Sequence, residues 1–245
     1  NYGFGRCESR SGPGSTKETT SVLIDPIISI IKDKGIESLV DFPCGDLNWV
    51  HQLFPHLKTY HGCDIVQNCI AENQKKYPDQ KFDCLDLSQD KIPTADLLLV
   101  RDVLGHQPIN VAIKMLKNIL DSDCKFLLST TWARKVHSDI KPLEGGVLHR
   151  ENEGVDFGLF YPVNLAIEPF NLPNPELYIE ESTVVGGYNE GLRKCLGLWD
   201  LSKIKSDLKN KLNTLKVKKE QETTVVTGIW DLSRENAGDG FKRSF

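Results

Sequence analysis

Glu37-Ser38-Leu39-Val40-Asp41-Phe42-Pro43-Cys44-Gly45-Asp46-Leu47-Asn48-Trp49 is the stretch on which the fold of this chain turns. Leu39 to Phe42 is a short apolar run of strand character, broken sharply at Pro43-Cys44-Gly45. Trp49, Val50, Leu53 and Phe54 follow at helical spacing and predict a helix reaching Leu57. A strand, a tight turn and a helix place the turn at the carboxyl edge of a sheet, where open α/β sheets bind ligands. Asp41 and Asp46 make this turn acidic, which suits a ligand carrying an amine or a sulfonium better than one carrying phosphates.

Downstream, apolar runs alternate with helical patterns. Thr59 to Ile65 reads as a second strand ending in Asp64, about 20 residues past the turn, where Rossmann-like sheets place a carboxylate against an adenosine ribose. A helix over 66–77 and a strand from Lys81 to Asp86-Leu87 come next. Ala95 to Asp102 is a near-continuous apolar run of the kind a parallel, doubly covered strand needs. Val103-Leu-Gly-His106-Gln-Pro108 leads into a helix over 109–120, and Lys125 to Trp132 closes the series. Strands alternating with helices in this way predict a parallel α/β sheet.

Upstream, residues 1–21 are glycine- and serine-rich and read as a loose leader, although Tyr2 and Phe4 are apolar anchors. Thr19, Thr20 or Ser21 is expected to cap the helix that follows, with Pro26 in its first turns and Gly35 at its end. From Ala133 to Tyr178 the periodicity stops. Glycines and prolines there are interleaved with Phe157, Phe160, Tyr161 and Phe170, the composition of a lid or binding loop. Asp156, Asn164 and Asn171 are its candidate hydrogen-bonding groups. Leu192 to Leu201 returns to strand character, and 203–222 reads as a lysine-rich, solvated amphipathic helix. Gly197-Leu-Trp199-Asp-Leu-Ser202 recurs as Gly228-Ile-Trp230-Asp-Leu-Ser233, a single pair that does not establish a repeat.

The chain has 245 residues, 39% hydrophobic and 26% charged, the profile of an ordinary soluble α/β protein. A net charge of −4 argues against nucleic acid as a partner, and no apolar run has the length of a membrane span. The seven cysteines lack framework spacing and read as reduced thiols, with Cys44, Cys84 and Cys124 as small core hydrophobes. Unpaired thiols favour the cytoplasm. The start at Asn1 rather than Met leaves room for a trimmed anchor and a lumenal setting. His51, His56, His61 and Cys63 are close in sequence, but their spacing fits neither helical nor zinc-ribbon ligation.

Three acids fall where successive strands end: Asp41 or Asp46, then Asp64, then Asp86 beside Leu87. Together they suit a methionyl amine, a ribose and an adenine amine. A pyrophosphate would want a glycine-rich turn, and this one has a single glycine flanked by acids. The ligand that fits is a cationic, adenosine-bearing methyl donor, S-adenosyl-L-methionine.

At these positions the sequence resembles the Rossmann-like S-adenosylmethionine-dependent methyltransferases. Asp41-Phe-Pro43-Cys44-Gly45-Asp46 looks like their first motif, with proline and cysteine in place of the commoner glycines. Gly62-Cys-Asp64-Ile65 looks like the second, and Asp86-Leu87 like the adenine-side motif. Glu8-Ser-Arg-Ser-Gly-Pro-Gly-Ser15, Arg101-Asp102-Val-Leu-Gly-His106, Pro162-Val-Asn164-Leu with Pro169-Phe-Asn171-Leu-Pro173, and Leu196-Gly-Leu-Trp199 resemble a little-characterised, largely bacterial subgroup. The resemblance covers residues 1–203.

It implies a Rossmann-like α/β fold: a mostly parallel seven-stranded sheet with helices on both faces. The implied domain is 1–203, with 133–178 as acceptor lid and 204–245 as a lysine-rich extension. Cofactor contacts would fall on Asp41, Pro43, Cys44, Gly45, Asp46, Asp64, Ile65, Asp86 and Leu87. Arg101 would join them or pair with a neighbouring acid. A hydroxyl acceptor needs a base, and His106 is preferred, with Asp102 competing for that role or orienting the base. The expected reaction is O-methylation of a glycan or a small polar metabolite. The alternatives are a protein or N-methyltransferase, against which stands the lack of an Asn/Asp-Pro-Pro-Tyr segment, and a non-catalytic cofactor-binding scaffold.

Overall fold

The computed structural model describes residues 7–136, 139–141, 157, 160–181 and 192–205. Eight strands lie among them: β1 (Ser38–Asp41), β2 (Thr59–Asp64), β3 (Lys81–Cys84), β4 (Leu97–Val100), β5 (Phe126–Val136), β6 (Asp139–Lys141), β7 (Leu177–Glu180) and β8 (Leu192–Asp200). The α-helices are α1 (Lys17–Asp33), α2 (Gln67–Lys76) and α3 (Ile109–Asp121). Seven strands run in the order β3-β2-β1-β4-β5-β8-β7, and β6 folds back on the end of β5. β3 through β5 are parallel, whereas β8 lies antiparallel between β5 and β7.

The alternation of β4 shows how the sheet is held. Leu98 and Val100 face a buried cluster built with α3, while Leu97 and Leu99 face one built with α1 and α2. All four residues are at most 1% exposed, which explains why this strand is apolar on both sides of its pleat. The strand order reverses between β1 and β4. Their carboxyl ends therefore open a crevice, the place where doubly wound sheets bind ligands.

Several local expectations are corrected. The segment after the first turn is a 3-10 helix, Val50–His56, because Pro55 denies it an α-helical hydrogen bond. α1 is capped by Thr16, upstream of the expected residues, so Pro26 lies in the helix interior rather than its first turns. The missing bond there falls on Val22, a 40% exposed residue whose carbonyl can turn to water. Gly35 does end that helix, with φ 61°.

The expected 133–178 lid is partly regular, since β5 runs to Val136, β6 lies inside its bounds and β7 begins at its end. Cys44 and Cys124 are buried as expected, but Cys84 ends the edge strand β3 and is exposed. The chain turns helical again at 201–205, and the lysine-rich helix and second Gly-x-Trp phrase lie outside the described residues. Among the described residues no helix is long and apolar enough to cross a membrane.

Leu98 is fully buried between β1 and β5, so truncating it removes contacts on both sides. Leu98→Ala should cost about 2–5 kcal/mol in urea unfolding, with the m-value unchanged.

Candidate active site

β1 delivers the chain to the crevice at Asp41, and the turn that follows is gripped from two sides. The Gly45 N–H donates to Asp64 Oδ2 at 3.0 Å. Its carbonyl accepts from Asn73 Nδ2 at 2.7 Å and from the Cys69 thiol at 2.9 Å, both on α2. Gly45 has φ 53°, and a Cβ there would stand 2.3 Å from Ser11 Oγ, so both conformation and space require glycine. The Cys44 N–H donates to the Cys63 carbonyl at 2.8 Å, tying the turn to β2 as well.

The acids divide into different roles. Asp41 is 4% exposed and lies beneath the turn, accepting the Tyr60 hydroxyl at 2.8 Å. Burial pushes its carboxyl up to about 7, against the Tyr60 hydrogen bond that pulls it down. Asp46 holds the leader instead of facing the opening. Its carboxylate accepts the Ser9 hydroxyl at 3.0 Å and the Arg10 N–H at 2.7 Å. Asp64 accepts Gly45 on one oxygen and the Val66 N–H at 2.9 Å on the other. Burial raises its pKa against the backbone N–H groups of Val66, Gly45 and Ile65 that pull it down.

Ile65, next in the chain, is 62% exposed, an apolar surface beside that acid. Asp86 lies just past β3 and accepts from Ser88 N–H at 2.8 Å and Gln89 Nε2 at 3.0 Å, while Leu87 is buried. Pro43 follows a cis peptide bond, and the Cys44 side chain packs into the core under the turn.

On the other side of the crevice stands a four-membered charge cluster, half of which the sequence reading missed. Arg101 is bonded to Glu181 through Nε at 3.2 Å and Nη2 at 2.7 Å. Lys194 reaches Glu181 Oε2 at 3.1 Å and also binds Asp102 Oδ2. Arg101 Nη1 lies 3.4 Å from the same Asp102 oxygen, and its guanidinium stacks 5.5 Å over the Trp49 ring. Arg101 is thus occupied by protein groups rather than turned to a ligand. Burial pushes Asp102 up, but Lys194 and Arg101 outweigh it and hold the carboxyl below its ordinary range. Lys194 and Glu181 come from the antiparallel hairpin, about 80–90 residues from Arg101, and no local pattern announces them.

Asp102 and His106 line a small cavity with Thr130, Trp132, Phe160 and Val163. Its volume is about 10 Å³, room for about one water. The Phe160 ring lies 5.1 Å from His106 and 6.0 Å from Trp132. Gly105 lets the 160–163 segment close on it: a Cβ there would meet the Tyr161 carbonyl at 2.6 Å, and Tyr161 N–H donates to the Gly105 carbonyl at 3.0 Å.

The expected lid contacts are redistributed. Phe170 and Tyr161 are core residues, Phe157 is 45% exposed, and Asn164 is buried with its Oδ1 on the Ala166 N–H. Asn171 is exposed, and Asp156 lies outside the described residues. The Tyr161 hydroxyl is buried with no hydrogen-bond partner among the described residues. Of the clustered histidines, His51 bonds the Leu47 carbonyl at 2.8 Å and His61 bonds Asp83 at 2.8 Å on the opposite edge of the sheet.

No protein-family profile and no curated protein matches the chain. Solved structures do. An N-methyltransferase from Bradyrhizobium japonicum WM9 superposes with a TM-score of 0.49 at 14% identity, over 75% of this chain and 94% of that one. Human N-acetylserotonin methyltransferase in complex with SAM gives 0.49 at 13%, over 74% and 52%. An S-adenosylmethionine-dependent methyltransferase from Clostridium acetobutylicum gives 0.41 at 20%, over 45% and 49%. In the superpositions at 17–20% identity, that of the Clostridium protein among them, the chain spans 49%, 60% and 64% of the structure it matches. The assignment of the fold rests on the strand order and register described above.

Asp41 gives the site a measurable pH signature. The unfolded chain loses this proton near 3.8 and the folded one near 7, so stability is full below the first value and falls as pH rises through the second. Asp41→Asn keeps the Tyr60 acceptor and removes the titration. Between pH 4 and pH 7 the wild type should lose roughly 3 kcal/mol relative to the variant in urea melts.

Proposed function

We propose that this chain is an S-adenosylmethionine-dependent methyltransferase that methylates a hydroxyl of a carbohydrate or another small polar acceptor. The observation that carries the reading is the pinned turn at the switch point. Gly45 is held by Asp64 from β2 and by Asn73 from α2, which brings an acid and a glycine turn together at the crevice. The donor set fits the cofactor. Asp64 is the carboxylate for a ribose diol, Ile65 offers an apolar face to an adenine, and Asp86 with Leu87 continues that edge. The carboxylates favour a cation over a phosphate.

S-adenosylmethionine, when bound, supplies an electrophilic methyl on a sulfonium that needs no further activation. The protein's task is then to align the acceptor, exclude water and take one proton. Trp132, Phe160 and Val163 wall the cavity and would shield it from bulk water. His106, in the same wall, would take the proton of the acceptor hydroxyl. Asp102 is a poor base because Lys194 and Arg101 hold it ionised. Its role is to keep a fixed negative charge beside His106. An acceptor larger than water reaches this cavity when the 160–163 segment shifts.

His106→Ala should bind S-adenosylhomocysteine as the wild type does while turnover falls about 100-fold or more. The assay is methyl transfer to a panel of glycans and hydroxylated metabolites, read by mass spectrometry. Methylation confined to amines would overturn the hydroxyl assignment. Binding with no acceptor methylated would favour a cofactor-binding scaffold.

A further inference from the structure

The leader read as loose from its composition is a built element in the structure. Ser9 is fully buried and donates to both oxygens of Asp46 at 3.0 Å. Glu8 Oε1 accepts from Asn48 Nδ2 at 2.8 Å, and the same amide donates to the Ser15 carbonyl at 3.0 Å. At the other end, the Gly14 carbonyl accepts from Arg101 Nη2 at 2.6 Å, and Ser15 Oγ stands 3.4 Å from Nη1. A Cβ on Gly14 would come within 3.3 Å of Asp102 Oδ2. Glu8 and Ser9 are fastened to the turn after β1, Gly14 to the residue after β4, and Ser15 to both. Between β1 and β4 the strand order reverses, so residues 8–15 cross the crevice itself.

We propose that residues 8–15 are a strap that roofs the ligand crevice, clipped by Ser9 and the Arg10 amide on Asp46 and by Gly14 on Arg101. Ser11 lies against Gly45, the one position in the turn without a side chain, so the strap forms a wall of the pocket that the glycine opens. A ligand of the adenosyl-methionine class is enclosed beneath it, and the clip must open for that ligand to enter or leave. The hydroxyl clip is weak enough to break and re-form. The inference rests on the methyltransferase reading for the identity of the ligand, but the crossing of the crevice does not depend on it.

S-adenosylhomocysteine serves as the probe. Arg10 is exposed, and its side chain pairs only with the exposed Glu72 among the contacts described, so trypsin reads strap opening at the Arg10–Ser11 bond. Saturating S-adenosylhomocysteine should slow cleavage there at least fivefold in the wild type. Ser9→Ala, its fold checked by thermal unfolding, should weaken binding in calorimetry by about tenfold, chiefly through faster release. Wild-type binding with an unprotected Arg10 bond and an unchanged variant would overturn the strap. Absence of any wild-type binding would instead overturn the cofactor reading.

Discussion

The peptide group of Gly45 is the constraint on which the site depends. Its N–H is held by a carboxylate at the end of β2 and its carbonyl by a side-chain amide on α2. Neither bond is available until β1 and β2 pair in register and α2 packs back on the sheet. The turn therefore takes its shape from the tertiary fold rather than from its own composition. That explains how proline and cysteine stand where a second or third glycine is commoner. External hydrogen bonds and one left-handed glycine do the shaping that additional glycines would otherwise permit.

The far wall of the crevice is built on a different principle. Arg101, Lys194, Glu181 and Asp102 bring two cations and two anions into the interior, with Glu181 completely buried. Such a cluster stands only because every member is paired, since a lone buried charge costs several kcal/mol. It holds Asp102 ionised, which in the proposed reaction leaves proton transfer to His106. Its effect on architecture is to give the strap a second anchor. The cluster thus joins the antiparallel hairpin, the end of β4 and the leader at one point.

Much of the sheet was legible because β4 is doubly buried and β1 and β2 end in acids. Leu97 to Val100 could hardly read as anything else, and Asp41 and Asp64 fall on the last residues of their strands. The site was legible only where its members are close in sequence. Asn73, Glu181 and Lys194 were missed because a polar residue on a helix or strand announces nothing about a partner that only tertiary contact supplies. Asp46 was read as a ligand group from its place in the turn, and its carboxylate also holds Ser9 and the Arg10 N–H, partners no local pattern announces. The leader misled for a related reason: glycine and serine signal looseness by composition, yet here they permit a close crossing of the crevice.

The central claim is that the crevice between β1 and β4, with Asp64 at its edge, binds an adenosyl sulfonium. Titration calorimetry of S-adenosylmethionine into wild type and Asp64→Ala tests it most directly. Saturable one-to-one binding by the wild type, weakened at least tenfold in a variant that still unfolds cooperatively, is the result the geometry predicts. No heat in the wild type, or equal affinity in the two proteins, would contradict it.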